Sequence, residues 1–121
     1  MSVVLVDDEP AIVSLERTLL ESDGRFDVVG EGADGASAVK LARTLRPDAI
    51  VLDVLMPVMD GWEALPLIKR VSPDTHVVVI SALGADSELN DRAVWLGAAM
   101  YLDKVEILSM PAVVAAACTH N

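Results

Sequence analysis

Four short apolar runs in this sequence end on side chains able to do chemistry. Asp7 and Asp8 follow residues 3–6, Asp53 follows 49–52, Ser81 follows 77–80, and Lys104 stands just beyond 99–102. If those runs are parallel strands of one sheet, the five side chains converge at its carboxyl edge. Three carboxylates gathered in low dielectric repel one another and need raised pKa values or a cation. A hard divalent ion answers that need. Mg²⁺ keeps several waters and is held by one or two carboxylates plus a phosphate, which suits a cluster this small. Lys104 then offers a positive charge to a second side of the phosphate, and Ser81 a hydroxyl donor. Singly, each residue has an ordinary explanation: an Asp doublet after a strand is most often a turn or a helix cap, and a lone Ser or Lys means less still. Asp53 carries more weight, because it ends an apolar strand beside the rigid Met56-Pro57 loop. Their occurrence together, in order on successive strands, is what chance does not readily produce.

The elements that must position these residues alternate in type. Strands are expected over residues 3–6, 27–30, 49–52, 77–80 and 99–102, separated by amphipathic stretches of helix length, which reads as five βα units. Several strand cores are continuously apolar, the pattern of parallel strands covered on both faces. The first helix is expected from Pro10, with Ile12, Leu15, Leu19 and Leu20 inward and Asp23-Gly24 at its end. The second spans 35–45, with Ala38, Val39, Leu41, Ala42 and Leu45 inward, and breaks at Arg46-Pro47-Asp48. Pro66 implies a late start or a kink in the third, placed at 64–70. The fourth covers 86–96 and stops at Gly97. Ser109 is expected to cap the fifth, with Pro111 in its first turn and Val113, Val114 and Ala117 following. Right-handed crossovers turn this alternation into a doubly wound α/β sheet, whose ligands sit beyond the carboxyl ends of the strands.

Composition narrows the classes. A chain of 121 residues, 53% hydrophobic, suits one domain with a real core. A net charge of −10, from 19 acidic and 9 basic residues, argues against a nucleic-acid surface. Cys118 is the only cysteine, which excludes an internal disulfide and a multi-cysteine metal site and fits a cytoplasmic setting. No apolar run is long enough to span a bilayer, so no membrane contact is expected.

Across nearly its whole length the chain resembles the receiver domains of two-component response regulators, chemotaxis receivers among them. Leu5-Val6-Asp7-Asp8-Glu9-Pro10 resembles the family's opening acidic motif, and Asp53-x-x-Met56-Pro57 with Asp60-Gly61 resembles its phosphoacceptor loop. Ser81-Ala82 stands at the family's Thr/Ser-Ala position, Gly97-Ala98 precedes the fifth strand, and Tyr101 lies three residues before the family's lysine, Lys104. The resemblance implies a flavodoxin-like (βα)5 fold with strand order 2-1-3-4-5. It makes Asp53 the nucleophile that takes a phosphoryl group from a phosphohistidine on a sensor histidine kinase or a phosphotransfer domain. It also implies that Asp8, Asp53 and the backbone carbonyl of Leu55 ligate Mg²⁺, with Asp7 acting through a metal-bound water. Lys104 and Ser81 would hold phosphoryl oxygens, Ser81 and Tyr101 would form the switch, and the fourth helix, fifth strand and fifth helix would be the output or homodimer face. Such a domain promotes its own phosphorylation and is not a turnover enzyme on an external substrate.

One departure concerns the turn after Lys104, where Val105 replaces the family's usual proline and a trans bond is expected. Another is at the two positions flanking the phosphoryl group, Leu55 and Leu83, where polar residues that orient water are common; slow loss of phosphate is expected. Segment 25–31 and Arg46-Pro47-Asp48 resemble regulators with a DNA-binding domain, yet residues 1–121 are expected to be a receiver alone, without an output domain. Trp95 should point outward. Trp62, His76 and His120 lack ligand-spaced partners and are expected to be structural, as are Met56 and Met59. A haloacid-dehalogenase-type phosphatase would carry a second Asp where Leu55 stands. A flavodoxin-like cofactor binder would need a Ser/Thr/Gly-rich loop where Asp-Asp-Glu-Pro stands. A receiver-like module that is never phosphorylated would usually lack Asp53, Asp8 or Lys104.

Overall fold

The structure is a computed structural model that describes residues 1–84 and 86–119; His120 lies outside them. Five parallel strands, β1 (Ser2–Val6), β2 (Asp27–Gly32), β3 (Ala49–Asp53), β4 (His76–Ser81) and β5 (Met100–Asp103), form one sheet in the order β2-β1-β3-β4-β5. The helices are α1 (Pro10–Asp23), α2 (Gly35–Leu45), α3 (Gly61–Val71), α4 (Ser87–Trp95) and α5 (Met110–Thr119). This is the doubly wound fold expected, with most element ends moved by one or two residues.

Strand side chains alternate between two cores. Val4, Val6, Ile50, Leu52, Val77 and Val79 pack against α2, α3 and α4 on one face. On the other, Val3, Leu5, Ala49, Val51, Val78 and Ile80 pack against α1 and α5. All five residues of β3 are buried, as its central place requires.

Four helices differ from expectation. In α1 the buried residues are Val13, Glu16 and Leu20, while Leu15 is exposed. The true stripe runs through an acid, which a search for apolar periodicity skips. In α2, Leu45 is exposed at the helix end, where Arg46 takes a left-handed turn. The third helix neither starts late nor stops at Arg70. It begins at Gly61 because Asp60 accepts the Glu63 N–H at 2.8 Å while the Glu63 side chain reaches back to the Asp60 N–H. That capping box offsets the single backbone bond Pro66 forgoes. Ser109 does not stand free as a cap either: a 3₁₀ segment, Lys104–Ser109, runs straight into α5.

Candidate functional site

The carboxyl ends of β1, β3 and β5 bring together the acidic residues and the lysine. Asp7, Asp8 and Asp53 each offer a carboxylate oxygen within 4.8 Å of the others. Asp7 is buried and Asp8 exposed, so the adjacent pair diverges. Asp7 Oδ1 accepts the Glu9 N–H at 2.9 Å, which turns the chain into α1. Lys104 Nζ lies 2.9 Å from Asp7 Oδ2 and 3.4 Å from Asp53 Oδ1. Glu9 Oε1, 3.8 Å from the same nitrogen, is an outer member that sequence reasoning missed, although it is next to the Asp doublet.

Asp53 is almost fully buried, and its Oδ1 also accepts the Val54 N–H at 2.8 Å. Burial and the neighbouring charge of Asp7 raise its pKa to about 6, against the opposing pull of Lys104 and the Val54 N–H. For Lys104 burial works against the charged form, but the hydrogen bond to Asp7 and the charges of Asp53 and Asp7 outweigh it and raise its pKa. The lysine is therefore an ammonium at physiological pH.

The β3–α3 loop is held from beneath. Gly61 N–H donates to the Val54 carbonyl at 2.8 Å, and a Cβ on Gly61 would run into the Asp53 carbonyl oxygen. Only glycine lets α3 approach the end of β3 so closely. Met56 and Met59 pack against the core, as expected. Leu55 is 56% exposed and Leu83 45% exposed, so both flanking positions present apolar surface to solvent. An open cleft of about 440 Å³ borders Asp7 and Asp8, with Pro10, Val13 and Arg17 on its α1 side. The acidic edge is thus reachable from solvent.

Ser81 and Tyr101 stand apart from this cluster. Continuing the alternation of Val77 and Val79 puts Ser81 on the α4 face, the face against which Tyr101 also packs. Ser81 is fully buried and its Oγ accepts the Leu83 N–H at 3.0 Å. Tyr101 is half-buried and donates its hydroxyl to the Gly84 carbonyl at 2.7 Å. Both side chains therefore bind the loop between β4 and α4.

After Lys104 the chain turns without a cis bond, none being found among the described residues. Asp103 Oδ1 accepts the Val105 N–H at 3.0 Å. Proline has no N–H to give, so Val105 supplies a different means of making the turn, and Lys104 still reaches Asp7 and Asp53. Trp95 points outward, 86% exposed. Trp62 is buried with the Arg92 guanidinium 4.5 Å from its ring centroid, and His76 opens β4.

A doubly wound sheet of this strand order, with three acids, a lysine and a serine at its carboxyl edge, defines a class. The family model of the response regulator receiver domain matches residues 3–111, and the chain belongs to that family. Among solved structures, the response regulator domain of CheB from Thermotoga maritima superposes with a TM-score of 0.92 at 26% identity, covering 100% of this chain and 98% of that one. The signal receiver domain of the response regulator NarL from Mycobacterium tuberculosis gives 0.85 at 33% identity, with 98% and 97% covered. A chain of the CheX–CheY–BeF3–Mg²⁺ complex from Borrelia burgdorferi gives 0.80 at 30% identity, with 93% and 89% covered. Comparison with curated proteins finds no match. The chain is a receiver domain of the two-component type, and among the described residues no helix is long and apolar enough to cross a membrane.

Proposed function

We propose that this receiver takes a phosphoryl group onto Asp53 from the phosphohistidine of a sensor histidine kinase or phosphotransfer domain. The observation that carries the reading is the pairing of a buried Asp53 with Lys104 at 3.4 Å, inside a cluster of three carboxylates. A carboxylate oxygen of Asp53 attacks phosphorus, the P–N bond breaks, and the imidazole leaves. Lys104, charged and already in place, neutralises the phosphoryl oxygens as they arrive; positioning and charge are most of what this reaction asks of a protein.

The donor set fits Mg²⁺, being all oxygen and open on one side. Asp8, Asp53 and the Leu55 carbonyl would hold the ion directly and Asp7 through a water. When bound, it neutralises the acidic cluster and offsets the negative charge of the phosphoryl group. Asp7, pinned by the Glu9 N–H, is the less free of the paired acids, which supports giving Asp8 the direct place.

Phosphorylation then shifts an equilibrium through contacts that differ between its two states. Ser81 is the first such contact, since its hydroxyl, which accepts the Leu83 N–H, keeps a proton to donate to a phosphoryl oxygen. Tyr101 is the second, because its bond to Gly84 ties β5 to the same loop. Exposed Val94 and Trp95 on α4 and Met100 on β5 support an output or homodimer face built from α4, β5 and α5. Residues 1–121 act here as one phosphoacceptor unit that modifies itself, in a cytoplasmic pathway, with no direct part for nucleic acid.

Incubation with acetyl phosphate tests the reading. One acid-labile phosphoryl group per chain is expected with Mg²⁺, and none in Asp53→Ala or after chelation. Equal labelling of Asp53→Ala would sink the assignment.

A further inference from the structure

Glu16 is a buried carboxyl group that the phosphorylation site, as described, leaves unused. It lies on the inner side of α1 between Val13 and Leu20, with 0% of its surface exposed. Neither of its oxygens has a hydrogen-bond partner among the described residues. An apolar side chain would fill such a position at no polar cost, so keeping an acid there works against stability.

Its place in the fold links it to the site. The α1 face of the sheet carries Val3 and Leu5 of β1 and Ala49 and Val51 of β3. Continued by two residues, the alternation brings Asp7 and Asp53 to that same face, and Lys104 reaches across to both. Asp7 Oδ2, unlike the Glu16 oxygens, has the lysine ammonium 2.9 Å away. The charges that act on Glu16 are those of Asp7, Lys104 and Asp53. From β2, Glu31 is engaged by Arg17 at 2.6 Å, and α5 brings no charged residue to the α1 interface. Glu16 thus faces the phosphorylation cluster from behind.

We infer that Glu16 is a positioning residue for Lys104: as the neutral acid it leaves the ammonium free to meet a phosphoryl group on Asp53, and as the carboxylate it draws the ammonium back. The inference rests on the phosphoacceptor reading of Asp53. An ionised Glu16 also repels the arriving phosphoryl charge, so both effects act in one direction. Burial, and after it the charge of Asp7, raise the Glu16 carboxyl to about 8 in the metal-free protein, and burial, the larger cause, persists when Mg²⁺ occupies the site. Asp53 titrates below that range and Lys104 above it.

Initial rates of Asp53 phosphorylation by acetyl phosphate at saturating Mg²⁺ test this in wild type, Glu16→Gln and Glu16→Leu. From about pH 7 to about pH 9 the wild-type rate should fall about fivefold, while both variants stay level. Glu16→Leu should also unfold at higher temperature, which separates loss of the pH response from loss of the fold. A wild-type profile that is flat, or that Glu16→Gln reproduces, would overturn the inference. Wild type that takes no phosphoryl group at any pH would overturn the phosphoacceptor reading, and this inference with it.

Discussion

The surroundings of Asp53, the proposed phosphoacceptor, make its ionised form a burden on the fold. Burial, then the charge of Asp7, lift its pKa to about 6. The native state therefore binds this proton more tightly than the unfolded chain, in which an Asp titrates near 4. Stability contributed by the neutral acid is complete below that value and is lost as pH rises through about 6. Asp53→Asn should accordingly be more stable than wild type by about 1–2 kcal/mol at pH 7 without Mg²⁺, with the gap closing toward about pH 4. Urea unfolding across that range measures it, and a variant no more stable at pH 7 contradicts the electrostatic account. Leu55 and Leu83 bear instead on the proposed phosphorylated state. Hydrolysis needs a water held in line, and these exposed leucines cannot hold one. Phosphate release should be slow and should quicken about fivefold in Leu55→Asn or Leu83→Glu, ~1 kcal/mol of barrier. A timed release assay in which neither variant is faster would end that idea. Asp7, Asp8, Asp53 and Lys104 were legible because each ends or follows an apolar run. Glu16 was not: a helix acid is normally assigned to the wet side, and only three-dimensional burial shows otherwise.

Among the elements, α3 and the loop before it hold Asp53, the proposed nucleophile, in place. Gly61 allows the helix to start against the backbone of Asp53, and the Asp60–Glu63 capping box fixes that start. Gly61→Ala should cost about 2–3 kcal/mol in stability through overpacking and should slow Asp53 labelling, since the added methyl displaces the strand end rather than a mobile side chain. A variant with wild-type stability and labelling would show that the close approach is unnecessary. The helix start was misplaced from sequence because Pro66 was weighed as a breaker while the Asp60-to-Glu63 spacing was left out. Similarly, Ser109 and Pro111 resemble a helix start. The preceding 3₁₀ segment depends on Asp103 capping Val105, a local bond that apolar periodicity does not encode.

For the molecule as a whole, alternation along parallel strands divides the work between two faces. Asp7 and Asp53 continue the α1 and α5 face, where Lys104 joins them, whereas Ser81 and Tyr101 belong to the α4 face. The acidic cluster and the Ser81 and Tyr101 pair thus lie on opposite faces of the sheet yet meet at a single carboxyl edge. The βα alternation revealed this architecture in the sequence, because continuous apolar runs fit only a sheet covered on both sides. The central claim is that Asp53 alone, among the clustered acids, becomes the acyl phosphate. Borohydride reduction after reaction with acetyl phosphate, followed by peptide mass spectrometry, converts a phosphorylated aspartate into homoserine at the position that carried the group. Homoserine at position 53, formed only when Mg²⁺ is present, is the predicted result; homoserine at position 7 or 8, or formation at 53 without Mg²⁺, would contradict it.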